Sequence, residues 1–151
     1  MRHKIAFIVK LLLLVVVLNV VRYVVAGPIE ALLIFDRLFG AMDASRSFFN
    51  TQFTRWDWIT SYFYNFIMWL VAEIVFIIME PVLIGGAIVK SLKAFGLMNL
   101  AFLSISAIYM NHYSHPKTFY LYNMLDSLIA FAVVALANGL IYPLMFKRRK
   151  T

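Results

Sequence analysis

Four separated stretches of this chain are each mostly apolar over about 20 residues, the length needed to cross roughly 30 Å of hydrocarbon at about 1.5 Å per residue. They lie at 5–26, 58–79, 97–113 and 120–146. At that depth there is no water for backbone N–H and C=O groups, so a crossing segment must satisfy them within itself, as a helix. The expected fold is therefore all-α: an integral membrane bundle of four transmembrane helices. Composition agrees, since 64% of residues are hydrophobic and 14% charged, against about 45–50% and about 25% in soluble domains. No polar stretch is long enough for a second, water-soluble unit, so residues 1–151 read as one membrane domain. The chain has no cysteine, which excludes disulfides, thiolate metal sites and thiol nucleophiles.

The net charge of +7 is distributed as in a membrane protein and does not point to nucleic acid. Arg2, Lys4 and Lys10 lie at the front, Lys90 and Lys93 between the second and third spans, and Lys147, Arg148, Arg149 and Lys150 at the end. Four crossings put all three groups on one side, and basic residues favour the cytoplasmic side. Both termini are thus expected in the cytoplasm, in a multi-pass protein of the plasma membrane, of bacterial inner-membrane type. The basic C-terminal residues are expected to touch anionic lipid headgroups. Arg2 to Lys4, the apolar run and Ala26 also have the outline of a signal peptide, but Arg22 would fall in its processing region, so a retained helix is the expectation.

Between the first two spans, Gly27 and Pro28 are expected to end the first helix, with Pro28 opening a new one. Over 29–42 the charges Glu30, Asp36 and Arg37 are set among Leu32, Leu33, Phe35, Leu38, Phe39 and Met42, with Asp43 just beyond. This predicts an external amphipathic helix lying in the interface. Trp56 and Trp58, Tyr120 and the basic residues 147–150 are the expected interface anchors.

Ionisable groups inside the spans cost at least about 2.5 kcal/mol each unless paired, snorkelled or hydrated. Lys10 and Glu73 lie at similar depth in one half of the membrane, and Arg22 and Asp126 in the other. This predicts two ion pairs, Lys10 with Glu73 and Arg22 with Asp126, that fix helix order. Asn19, three residues before Arg22, would add to the second. The rival reading is a polar pathway along the second span, where Tyr62, Trp69, Glu73 and Glu80 recur every four to seven residues on one stripe. On the fourth span Ala135 and Gly139 form a small-xxx-small pair, and Ala130 and Ala137 share the face of Asp126, so these four are the expected helix-packing residues. Ser104 and Ser106 are expected to bond back to helix carbonyls.

His112 and His115 are spaced to share a metal only if the helix continues through Pro116, so no metal site is expected. No phosphate-cradling glycine loop, nucleophile elbow or zinc-protease helix is present. No enzyme activity and no cofactor is expected. The leading expectation is a non-enzymatic membrane subunit or accessory protein that works through helix contacts with other membrane chains or itself. The alternative is a small proton-coupled transporter or channel-forming oligomer that uses Glu73.

Overall fold

The computed structural model describes residues 2–49, 52–114 and 116–146, with side chains from Lys4 onward. It is all-helical, with no strand among the described residues, and its four long helices are apolar enough to cross a membrane. Helix α1 takes in Lys4–Asp43, α2 is Arg55–Met79, α3 is Ala87–His112 and α4 is Lys117–Phe146. Short connections make successive helices antiparallel. The starts of α1 and α3 therefore share one end of the bundle with the finishes of α2 and α4. This is the terminal end; the opposite one is the loop end.

Helix α1 corrects the expected break at Gly27 and Pro28. The chain stays helical from Arg2 to Asp43 through two π-helical turns, Arg22–Ala26 and Ala31–Phe35. In the first of these the Gly27 amide bonds to the carbonyl of Arg22, five residues back. A proline removes one i→i−4 bond and crowds the carbonyl four residues before it. The ladder has already slipped by one residue before Pro28, so the missing N–H falls where the regular pattern is interrupted. The segment 29–42 is consequently the continuation of α1 and not a separate helix, and it packs along the first part of α4. Forty residues span about 60 Å, twice the thickness of the hydrocarbon core. Across a membrane, a rod of this length would have to tilt strongly or project beyond the core.

The other helices start earlier than hydropathy predicts. Helix α2 begins at Arg55 behind a reciprocal cap: Thr54 Oγ1 accepts from the Asp57 amide at 3.3 Å, and Asp57 Oδ2 accepts from the Thr54 amide at 2.7 Å. Helix α3 begins at Ala87, ten residues before 97, because its lysines reach back to the connection. Lys90 Nζ donates to the Glu80 carbonyl and carboxylate at 2.8 and 2.7 Å, and Lys93 Nζ to the Ile84 carbonyl at 2.9 Å. Gly85, at φ 127°, makes the tight turn between α2 and α3.

Packing is uneven along the bundle. Toward the terminal end Leu14, Val15 and Leu18 of α1, Trp69, Ala72 and Phe76 of α2, Ala94 and Phe95 of α3, and Phe131 and Val134 of α4 form one buried core. Trp69 and Phe131 meet edge to face at 5.1 Å, as do Phe76 and Tyr142 at 4.9 Å. Helices α3 and α4 approach closely at Gly139, where a Cβ would lie 2.5 Å from the Ile88 Cα. Ala130 and Ala135 are also buried and Ala137 is half-buried. Toward the loop end, α2 instead exposes Trp56, Trp58, Tyr62, Phe63 and Tyr64.

Candidate functional site: buried polar groups of the bundle

A buried polar side chain in a bundle of this kind needs a partner or a purpose, because neither lipid nor core can hydrogen-bond to it. Among the described residues these places include a charge cluster, Glu73 and two polar pairs between α3 and α4.

The first is a charge cluster in the loop-end half. Arg22 Nη1 lies 2.5 Å from Glu30 Oε2, and Arg22 Nη2 lies 3.5 Å from Asp126 Oδ2. The exposures are 15% for Arg22, 1% for Glu30 and 19% for Asp126. Arg22 and Asp126 thus meet, as their matching depths predict, while Glu30 is a third member assigned by sequence to an interfacial surface. The π turns place it there. Four residues of α-helix overshoot a full rotation by about 40°, whereas π turns, closing i→i+5, rotate less per residue. Arg22, Ala26, Glu30 and Ile34 consequently stay on one face, and the last three are buried. One guanidinium serves two buried carboxyl groups, Glu30 and Asp126, which also lie within hydrogen-bond reach of each other. Asn19 does not bond to the cluster; its Oδ1 is buried and unpartnered.

The second place is Glu73, in the terminal-end core. It is completely buried, and neither carboxylate oxygen has a hydrogen-bond partner among the described residues. The expected pairing with Lys10 does not form: Lys10 is exposed and its Nζ donates to the Met145 carbonyl at 2.8 Å. The long lysine stem snorkels to the last turn of α4, whose free carbonyls carry the negative end of the helix dipole. The expected stripe along α2 is also divided. Tyr62 faces outward and stacks edge to face on Tyr23 at 4.6 Å, Trp69 is buried with its Nε1 unpartnered, and Glu80 is held by Lys90. No hydrogen bond joins these residues.

The third and fourth places pair α3 with α4. Asn138 Nδ2 donates to Ser91 Oγ at 3.2 Å, leaving Asn138 Oδ1 buried and unpartnered. Ser127 Oγ lies 3.0 Å from Asn99 Oδ1 and 2.8 Å from the Met124 carbonyl. Asn99 also lines a cavity of about 130 Å³ on the outside of the bundle, with Leu92, Gly96, Leu128, Phe131, Ala132 and Ala135. Its amide offers two polar atoms, and Ser127 occupies one. The other has no partner among the described residues. Sequence analysis missed both asparagines, although an asparagine inside an apolar run is itself a signal of helix-to-helix bonding.

The remaining expected sites divide. Trp56 and Trp58 are exposed, whereas Tyr120 is buried, its ring centroid 5.2 Å from that of Phe119. Ser104 Oγ bonds back to the Leu100 carbonyl at 2.8 Å. His112 Nδ1 lies 2.9 Å from the Ile108 carbonyl, and no group of three metal-ligating side chains occurs among the described residues. His115 and the basic residues Lys147, Arg148, Arg149 and Lys150 lie outside the described residues.

No protein family, curated protein or solved structure matches the chain.

Proposed function

We propose that this chain is a non-enzymatic integral membrane subunit or accessory protein that works by packing a transmembrane helix of another chain into the cavity between α3 and α4. The observation that supports this reading is the unpartnered amide atom of Asn99 beside Gly96 and Ala132. Helices in lipid gain little from burying apolar surface and associate through close packing at small residues and through interhelical hydrogen bonds. An apolar face alone is served equally well by lipid. A free amide atom at mid-helix is not, and a polar side chain on a neighbouring helix satisfies it. A Cβ added at Gly96 meets nothing within 4 Å, so the glycine leaves space that its own fold does not use.

Single cysteines introduced into this cysteine-free chain test the proposal. In native membranes Gly96→Cys or Ala132→Cys forms a specific cross-linked species, and Val71→Cys on the exposed face of α2 does not. Gly96→Leu fills the cavity and removes the cross-linked species from an Ala132→Cys background while expression is kept. Equal cross-linking at all three positions contradicts the reading. The mass of the product shows whether the partner is a second copy or a different chain.

The orientation that accompanies this function has both termini in the cytoplasm of a bacterial-type plasma membrane, on the strength of the basic residues at 2–10, 90–93 and 147–150. Labelling of Ser47→Cys by an impermeant reagent from the outside supports it, and labelling only after the cytoplasmic face is opened reverses it. A second reading, a proton-coupled transporter, is favoured by one observation: Glu73 is buried and unpaired, as a proton-exchanging carboxyl must be at some stage of its cycle. Its test is a pH-driven flux in proteoliposomes that Glu73→Gln abolishes at unchanged abundance.

A further inference from the structure

Glu30 comes from α1 and Asp126 from α4, and their carboxyl groups hydrogen-bond to each other beside Arg22. An ionised carboxylate has only acceptors, so a hydrogen bond between two carboxyls exists only while one of them carries a proton. Charge leads to the same count. Among the described residues Arg22 is the cation in contact with the pair; two ionised carboxylates would leave the cluster negative, and one bound proton makes it neutral. The other groups that face the cluster are Tyr23 of α1 and, stacked on Tyr23, Tyr62 of α2. Asp36, Arg37 and Lys117, on the adjoining stretches of α1 and α4, are exposed.

The cluster sits where α1 bends most easily. Glu30 ends the short piece Gly27–Glu30 between the π turns Arg22–Ala26 and Ala31–Phe35, and helices bend where the ladder is interrupted in this way. Beyond it, the 31–43 stretch packs on the first part of α4, with Ile34 and Ala41 buried. On the α2 side the same stretch meets open space, a cavity of about 540 Å³ walled by Tyr23, Ala31, Phe35, Phe39 and Trp58. We propose that the cluster is a proton-controlled latch: one exchangeable proton shared by Glu30 and Asp126 holds the 31–43 stretch of α1 against α4, and its loss to water lets that stretch move away from α4 toward the cavity. Asp126, 19% exposed, gives the proton its way out. The closed contact requires the proton, whereas a carboxyl released into water is ionised above about pH 5. The open form therefore binds fewer protons, and rising pH favours it.

The test uses the full chain in phosphatidylcholine nanodiscs. Ala41→Cys, buried in the latch contact, and Ser47→Cys, exposed beyond it, are labelled separately with a thiol reagent from mildly acidic to alkaline buffer. The ratio of their rates removes the pH dependence of the thiol itself. One proton changes an equilibrium by about tenfold per pH unit at most, and the ratio is expected to rise by about tenfold or more over the whole range. Asp126→Asn and Glu30→Gln each place an amide donor beside the remaining carboxylate, which keeps the hydrogen bond without a titrating proton. In either background the ratio should stay low and flat, and one variant suffices if the other does not fold. A second readout follows the proton itself. In a Glu73→Gln background, which removes the carboxyl of the packed core, the infrared C=O band of a protonated carboxyl is expected in mildly acidic buffer, lost in alkaline buffer and absent from Asp126→Asn. A ratio that stays flat with the cluster intact, or that rises as steeply in either amide variant, overturns the proposal. So does the absence of that carboxyl band from the intact cluster in mildly acidic buffer.

Discussion

Glu30 and Glu73 are both carboxylates with almost no exposure, on adjacent helices of one small bundle, and the structure treats them in opposite ways. Glu30 lies in the loop-end half, where α1 widens through two π turns and α2 turns its aromatic side chains outward; it is held by Arg22. Glu73 lies in the terminal-end half, enclosed by a continuous aromatic and aliphatic core, and is held by nothing. The loop-end half is organised by charge and the terminal-end half by packing. Breaking a buried pair leaves an uncompensated charge, whereas replacing an unpaired buried polar group by an apolar one removes a standing cost. The two halves should therefore answer opposite kinds of substitution.

The largest effect is expected at Arg22. Arg22→Gln removes the cation shared by Glu30 and Asp126, for a loss of about 3–5 kcal/mol in reversible unfolding in mild detergent. Asp126→Asn should cost less, because Arg22 keeps Glu30. Equal losses would mean that Glu30 contributes nothing to the cluster. Next comes Gly139→Leu in the packed half, where the new Cβ meets the Ile88 backbone; overpacking of this kind costs about 1–3 kcal/mol. A smaller effect of the opposite sign is expected at Glu73. Glu73→Met, similar in volume and apolar, should raise stability by about 1 kcal/mol or more, since an unsatisfied buried acceptor is removed. A clear loss there would reveal a partner for Glu73. The smallest effect belongs to Lys10→Met, within about 0.5 kcal/mol, because its ammonium is exposed and holds a single carbonyl.

Sequence reading reaches the two halves unequally, and for physical reasons. Hydropathy locates α2, α3 and α4 because a long apolar run has no other use, although Lys90 and Lys93 hide the true start of α3 by reading as loop. The fate of Pro28 is harder to see, since a proline normally ends a helix and only the register slip of the preceding turn admits it. That one turn decides the site as well. With regular α-helical rotation Glu30 drifts about 80° from Arg22 over eight residues, and the sequence pattern places it on an outer, polar face. Matching depth, by contrast, is enough to bring Arg22 to Asp126. The same depth argument fails for Lys10 and Glu73 because depth fixes a level and not a groove, and because a lysine at that level reaches a helix end. Asn99 and Asn138 were visible as letters within apolar runs, but their partners Ser127 and Ser91 are set by how α3 and α4 cross.

Two double-mutant cycles measured side by side test the contrast most directly, one on Arg22→Gln with Glu30→Gln and the other on Lys10→Met with Glu73→Gln. Neighbouring groups that interact show coupling of about 0.5–3 kcal/mol, while independent sites add within about 0.3–0.5 kcal/mol. The predicted result is a coupling above about 1 kcal/mol in the first cycle and none beyond additivity in the second. Additivity in the first cycle, or clear coupling between Lys10 and Glu73, would contradict the division of the bundle into a charge-organised and a packing-organised half.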